Sequence, residues 1–228
     1  MRGVGWVAER GRSLVTGVSI VYARRGLRVP RAIALTFDDG PSEWTPPILD
    51  ALAAQGARGT FFVLGRSIEG REEIVRRTAA EGHELGNHAY SHTDPQTLDD
   101  DTLRRELDRT STRLEELTGR RPRLFRPPYA GHDVRVARVA RAAGLSPTVL
   151  RSVDPADWRE PDAGRIASRV LAEIRPGAIV CLHDGLPPHT TEGTLDRTPT
   201  VTAVSAILDG VRARGLVAIT VGELIGGR

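Results

Sequence analysis

The sequence predicts an α/β chain whose parallel strands close, or nearly close, into a (β/α)7 barrel. Three observations lead there. Short apolar runs alternate with longer amphipathic stretches from residue 31 onward. A helix between successive strands returns the chain to the same side of the sheet, which makes neighbouring strands parallel. Groups able to do chemistry also collect just after the apolar runs, at the strand ends where barrels of this kind build their sites.

The candidate strands are 32–38 "AIALTFD", 59–64 "GTFFVL", 84–88 "ELGNH", 123–126 "RLFR", 146–153 "SPTVLRSV", 178–183 "AIVCLH" and 216–221 "LVAITV". Between them lie stretches near 45–55, 71–81, 99–118, 133–143, 162–174 and 199–213, each with apolar residues three and four apart, the spacing of one helix face. Thr45-Pro46 opens the first helix, and Gly56, Gly82, Gly119, Gly144 and Gly215 close others. A chain of 228 residues, 39% hydrophobic, can bury one core of this size, so residues 31–228 form one domain.

Residues 1–30 fit the pattern least. Arginines at 2, 10, 12, 24, 25 and 28 flank the apolar stretch "SLVTGVSIVYA", which is too short to span a bilayer. Glu9 and the closing "ARR" make a poor secretory signal, so we expect a cytoplasmic chain whose N-terminal segment packs on the domain as a helix. Attachment to a membrane surface and secretion are the alternatives. The 32 basic residues are all arginine and stand against 29 acidic ones, for a net charge of +3. They alternate with acids on helix faces, as in "DTLRRELDRTSTRLEELTG", and no basic run interleaved with aromatics points to nucleic acid. A single cysteine, Cys181, excludes an intramolecular disulfide and an all-cysteine metal site. Oligomeric state is not legible.

Five strand ends offer chemistry. The first reads "TFDDG", with adjacent carboxylates Asp38 and Asp39, and the third "NHAYSH", with His88 and His92 four apart. One helical turn would put both imidazoles on one side, and with a carboxylate they make a three-ligand set that leaves coordination positions open, as a catalytic metal requires. One aspartate can then bind the cation while the other stays free to accept a proton. "LFRPPYAG" adds Arg126, able to grip a carboxylate in bidentate fashion, with Pro127 and Tyr129. "SVDPADW" adds Asp154, Asp157 and Trp158, and "IVCLHDG" adds His183 and Asp184, a histidine able to protonate a leaving group beside a carboxylate that tunes it.

In this order and spacing, "TFDDG", "NHAYSH", "RPPY", "DPADW" and "CLHD" resemble the five motifs of polysaccharide deacetylases, carbohydrate esterase family four with the NodB-homology fold, over roughly residues 31 to 225. The resemblance implies a distorted parallel barrel that holds a divalent transition metal, usually Zn2+ and otherwise one such as Co2+, and removes acetyl groups from sugars. It implies Asp38 as general base and Asp39, His88 and His92 as metal ligands. Arg126 would position Asp38, the backbone N–H of Tyr129 would donate to the oxyanion, Asp157 would tune the catalytic histidine and His183 would be the general acid. Trp158, Pro127 and Cys181 would line the substrate pocket. Two positions depart from the pattern: Ala89 stands where a hydroxyl residue usually braces the loop, and Cys181 where leucine usually lines the acyl pocket.

The implied substrate is an N-acetylated poly- or oligosaccharide. A small N-acylated sugar or natural-product intermediate inside the cell is the alternative, and a non-catalytic glycan-binding domain is a third reading. "HELGNH" is one residue too long for a zinc-protease helix, and "GVGWVA" has no preceding strand to make it a dinucleotide fingerprint. Cys181 reads as a buried small residue of an apolar strand, and His132 and His189 as loop residues.

Overall fold

In the computed structural model, residues 12–15, 18–21, 31–188, 193 and 195–226 are described. Ala32–Asp38 (β3) is the central strand, pairing in parallel with Gly59–Val63 (β4) on one side and Ile179–His183 (β7) on the other. β4 pairs in turn with Glu84–Asn87 (β5), and Val217–Ile219 (β8) pairs with the first residues of β3. The ring continues through single bridges, Asn87 to Phe125 and Phe125 to Thr148, and returns from Val153 to Val180 of β7. The strand expected at 123–126 is thus one bridging residue, and the one at 146–153 is Thr148–Val149 (β6) plus a bridge. Arg126-Pro127-Pro128 explains the first case, because proline supplies no N–H to continue a ladder.

The period-two alternation of β3 faces two cores. Ile33, Leu35 and Phe37 pack outward against Thr45–Ala54 (α1), Ala163–Glu173 (α5) and Thr198–Ala213 (α6), through Ile48, Leu49, Leu52, Ile166, Val170, Val204 and Ile207. Ala32 and Ala34 face inward, with Phe62, Leu124, Val149 and Ile179. Val221 and Leu224 of a short helix, Val221–Ile225 (α7), join that inner cluster beside Ala32, so the N-terminal end of the barrel is plugged. The opposite end, where Asp38 stands, is left for the site. Glu72–Ala80 (α2), Asp100–Thr118 (α3) and Val134–Ala142 (α4) complete the helical ring, α3 and α4 packing Leu103, Leu107, Val136, Val139 and Ala140 around Phe125.

The N-terminal expectation needs correction. Arg12–Val15 (β1) and Val18–Val21 (β2) form an antiparallel pair, and β2 joins β6 in parallel, so these residues extend the sheet and are not helical. Val15, Val18, Ile20 and Val21 are β-branched, and "TG" between the runs is a turn signal. The rest of residues 1–30 lies outside the described residues. Among the described residues, no helix is long and apolar enough to cross a membrane.

Candidate active site

β3 delivers Asp38 to the barrel interior by alternation, on the same face as Ala34 and Thr36. Asp39 follows at φ 77°, in the left-handed region that aspartate tolerates better than most residues. That turn breaks the alternation, and both carboxylates line one cavity of about 300 Å3. Gly185 passes so close that a Cβ there would meet the Asp39 carbonyl carbon at 2.5 Å, so glycine is required on steric grounds. Asp184 holds the turn from the other strand: its carboxylate accepts from the Gly40 N–H at 3.1 Å and the Thr45 hydroxyl at 2.6 Å. Burial pushes Asp184 up to about 7.

His88 and His92 do not share a helical turn. The chain leaves β5 and bends at Ala89 (φ 63°) and His92 (φ 65°), and that bend brings the two rings to 5.3 Å. The bend is braced from α3. The Thr110 hydroxyl donates to the Ala89 carbonyl at 2.9 Å, and Glu106 Oε2 accepts from the N–H groups of Tyr90 and Ser91 at 3.0 and 2.8 Å. A hydroxyl from α3 thus braces the loop at Ala89, whose methyl packs in the core beside Leu103 and Leu107.

Asp39 Oδ1 stands 3.5 Å from His88 Nε2 and 3.3 Å from His92 Nε2. Oxygen and nitrogen ligands of a tetrahedral zinc with bonds of about 2.0–2.1 Å stand roughly 3.4 Å apart, so the three atoms already have the spacing of a ligand set. Asp39 Oδ1 is buried with no hydrogen-bond partner, a costly arrangement that a cation would relieve. His88 Nδ1–H donates to the Arg126 carbonyl at 2.7 Å, which fixes the tautomer that leaves Nε2 unprotonated, its lone pair free for a metal. Burial raises Asp39, but His88, His92 and His183 outweigh it and hold the carboxyl below its ordinary value. Burial lowers His92 to about 4, so it is neutral, as a metal ligand must be.

Asp38 stands beside this set, its Oδ2 4.0 Å from His88 Nε2, but has its own partners. Arg126 Nη1 donates to its Oδ1 at 2.8 Å and also to Thr36 Oγ1 at 2.6 Å. The grip is single and not bidentate, because the guanidinium lies over the Phe62 ring, 4.2 Å from its centroid. Burial raises Asp38, and Arg126, His88 and His183 prevail over it, leaving the carboxylate below its ordinary value and ionised. Opposite, His183 Nδ1–H donates to Asp157 Oδ1 at 2.8 Å, and Asp157 Oδ2 accepts from the His183 N–H and the Thr200 hydroxyl, both at 2.8 Å. Burial lowers His183, and Asp157 overrides it, raising the imidazole to about 9.

The remaining expected residues surround the same cavity. Pro127, Tyr129, Trp158 and Cys181 line it, Tyr129 at φ 55° with its ring 4.5 Å from His92 and 70% exposed at the rim. Cys181 Sγ donates to Asp38 Oδ2 at 3.4 Å, and burial raises its thiol well above the ordinary value. Sequence reasoning missed Arg151 and Arg197. Arg197 is buried against the cavity, its Nε donating to the Gly185 carbonyl at 3.0 Å and its Nη1 to the Trp158 carbonyl at 3.3 Å. No motif surrounds it, and only its place before the α6 proline was visible. His83 and His132 belong elsewhere: His83 Nδ1 accepts from the Gly59 N–H, and His132 bonds the Ala130 carbonyl. His189 lies outside the described residues.

The chain is similar to known proteins in sequence and in fold. Residues 27–148 match the family model described as polysaccharide deacetylase. A chitooligosaccharide deacetylase of Bradyrhizobium sp. is 41% identical over 81% of this chain and 86% of its own length, and a peptidoglycan-N-acetylglucosamine deacetylase of Bacillus cereus is 34% identical over 85% and 68%. Among solved structures, a CE4 family pseudoenzyme from Bacillus anthracis superposes with a TM-score of 0.80 at 26% identity, over 90% of this chain and 68% of that one. From the five strand-end motifs to the barrel that gathers them, this chain belongs to the polysaccharide deacetylase family.

Proposed function

We propose that the protein is a metal-dependent hydrolase that removes the acetyl group from an N-acetylated sugar residue of a poly- or oligosaccharide. One observation supports this most: Asp39, His88 and His92 converge at ligand spacing beside a second carboxylate, Asp38, that Arg126 holds as a separate ionised group. A site of one acid and two imidazoles suits Zn2+ or a similar divalent transition metal, which when bound polarises the acetyl carbonyl and makes water a better nucleophile.

The chain's own groups do the rest. Asp38 accepts the proton of the attacking water, since it is ionised and buried next to the set. Tyr129 offers its backbone N–H to the oxyanion from the rim. His183, protonated through Asp157, gives its proton to the departing amine. Trp158 and Pro127 wall the acetyl pocket.

Acetate release from chitin oligomers, peptidoglycan fragments and free N-acetyl sugars, each with and without a chelator, tests the reading. Chelator-sensitive release from the oligomeric substrates is expected, and release from the free sugars alone would favour a small-molecule substrate. Binding of oligomers with no release from any substrate would leave a glycan-binding domain, a possibility that the likeness to a pseudoenzyme makes worth testing.

A further inference from the structure

β3 and β7 run in parallel with Thr36 opposite Cys181 and Asp38 opposite His183. Side chains two apart on a strand share a face, so Cys181 and His183 point into the same cavity as Asp38. One donor atom from each of Asp38, Cys181 and His183 lies within 4.8 Å of the others. This trio shares no residue with Asp39, His88 and His92.

We propose that Asp38, Cys181 and His183 form a second cation site, selective for thiophilic divalent ions such as Cd2+ or excess Zn2+, and that filling it inhibits the enzyme. The sulfur to Asp38 Oδ2 distance is 3.4 Å, and the sulfur and oxygen ligands of a tetrahedral zinc, with bonds of about 2.3 and 2.1 Å, stand roughly 3.6 Å apart. Asp38 gives Oδ1 to Arg126, which leaves Oδ2 turned toward Cys181. The Nδ1 atom of His183 is engaged by Asp157, so Nε2 is the nitrogen left to donate, and the carboxylate behind the ring strengthens it as a ligand. Binding displaces both the thiol proton and the Nε2 proton of His183, and the two protons leave to solvent. Thiolate and carboxylate together offset the charge of the incoming ion, beside an Arg126 that stays paired to Asp38. Sulfur and imidazole ligands favour Zn2+ and Cd2+ over Mg2+, Ca2+ or Mn2+. Inhibition rests on the roles assigned above to Asp38 and His183, because one ion would engage both proton carriers. The site itself does not depend on those roles.

The full chain, loaded with one equivalent of Zn2+, is titrated with Cd2+ while the thiolate-to-metal ultraviolet absorption, the bound metal and acetate release are followed. A second equivalent should bind with growth of the thiolate band, and acetate release should be lost in step. The same titration of Cys181→Ala should stop at the first equivalent and leave that variant at its own starting rate. No thiolate band in the wild-type chain, or a second equivalent retained by Cys181→Ala with equal affinity, would overturn the site. The wild-type band decides even where the variant fails to fold. Should no form release acetate, the proposed reaction fails while stoichiometry and band still decide the site.

Discussion

Asp38 and Asp39 are chain neighbours whose surroundings assign them different work. Asp39 faces two imidazoles, with Oδ1 unpaired, and Asp38 faces a guanidinium and a thiol. Asp38→Asn should therefore keep its metal while losing about 100-fold or more in kcat. His88→Ala should lose the metal itself, which metal analysis of the purified variants would separate. A pH dependence follows from His183. Asp157 raises its pKa to about 9, and in its proposed role as general acid it works only while protonated, so acetate release should fall as pH rises through that value. Asp157→Asn removes the raising charge and should move this alkaline limb to lower pH. An unmoved limb in the kcat–pH profile would count against His183 as the acid.

At the scale of elements, the loop that carries both histidines depends on α3. Glu106 Oε2 accepts from the Tyr90 and Ser91 N–H groups and the Ser91 hydroxyl, and Thr110 from the same helix ties the Ala89 carbonyl. Glu106→Ala frees that loop without touching a ligand, and should weaken zinc binding by roughly 10- to 100-fold, the usual cost of losing a supporting partner. Competition with a chromophoric chelator would read it. The helices themselves were legible: α1 to α6 each fall within a residue of the stretches that apolar spacing and closing glycines marked out. α7 was not, although Thr220 and Glu223 form a capping box, because five residues are too few for periodicity to register. The helical turn expected at His88–His92 failed for a different reason. Positive φ at Ala89 and His92 is set by tertiary brackets that a local pattern does not contain.

For the whole molecule, the barrel closes through residues and not through full strands. Phe125 bridges both Asn87 and Thr148, is wholly buried, and anchors the core between α3 and α4. Phe125→Ala should cost about 3–5 kcal/mol of stability, measured by denaturant unfolding, the range for emptying such a site. The parallel α/β architecture was readable from the alternation of short apolar runs with amphipathic stretches, and the site from the motifs that follow those runs. Arg197 was not, because it owes its place to the carbonyls of Gly185 and Trp158, distant in sequence, whereas the β1–β2 pair carried a local signal in its β-branched residues and turn.

The central claim is that one divalent cation is held by Asp39, His88 and His92 while Asp38 stays off it. Anomalous diffraction at the zinc edge, from crystals of the chain grown with one equivalent of Zn2+, addresses it most directly. The account predicts a peak at bonding distance, about 2.0–2.2 Å, from all three side chains, with Asp38 still paired to Arg126. A peak bonded to Asp38 in place of Asp39, or none among the three, would contradict it.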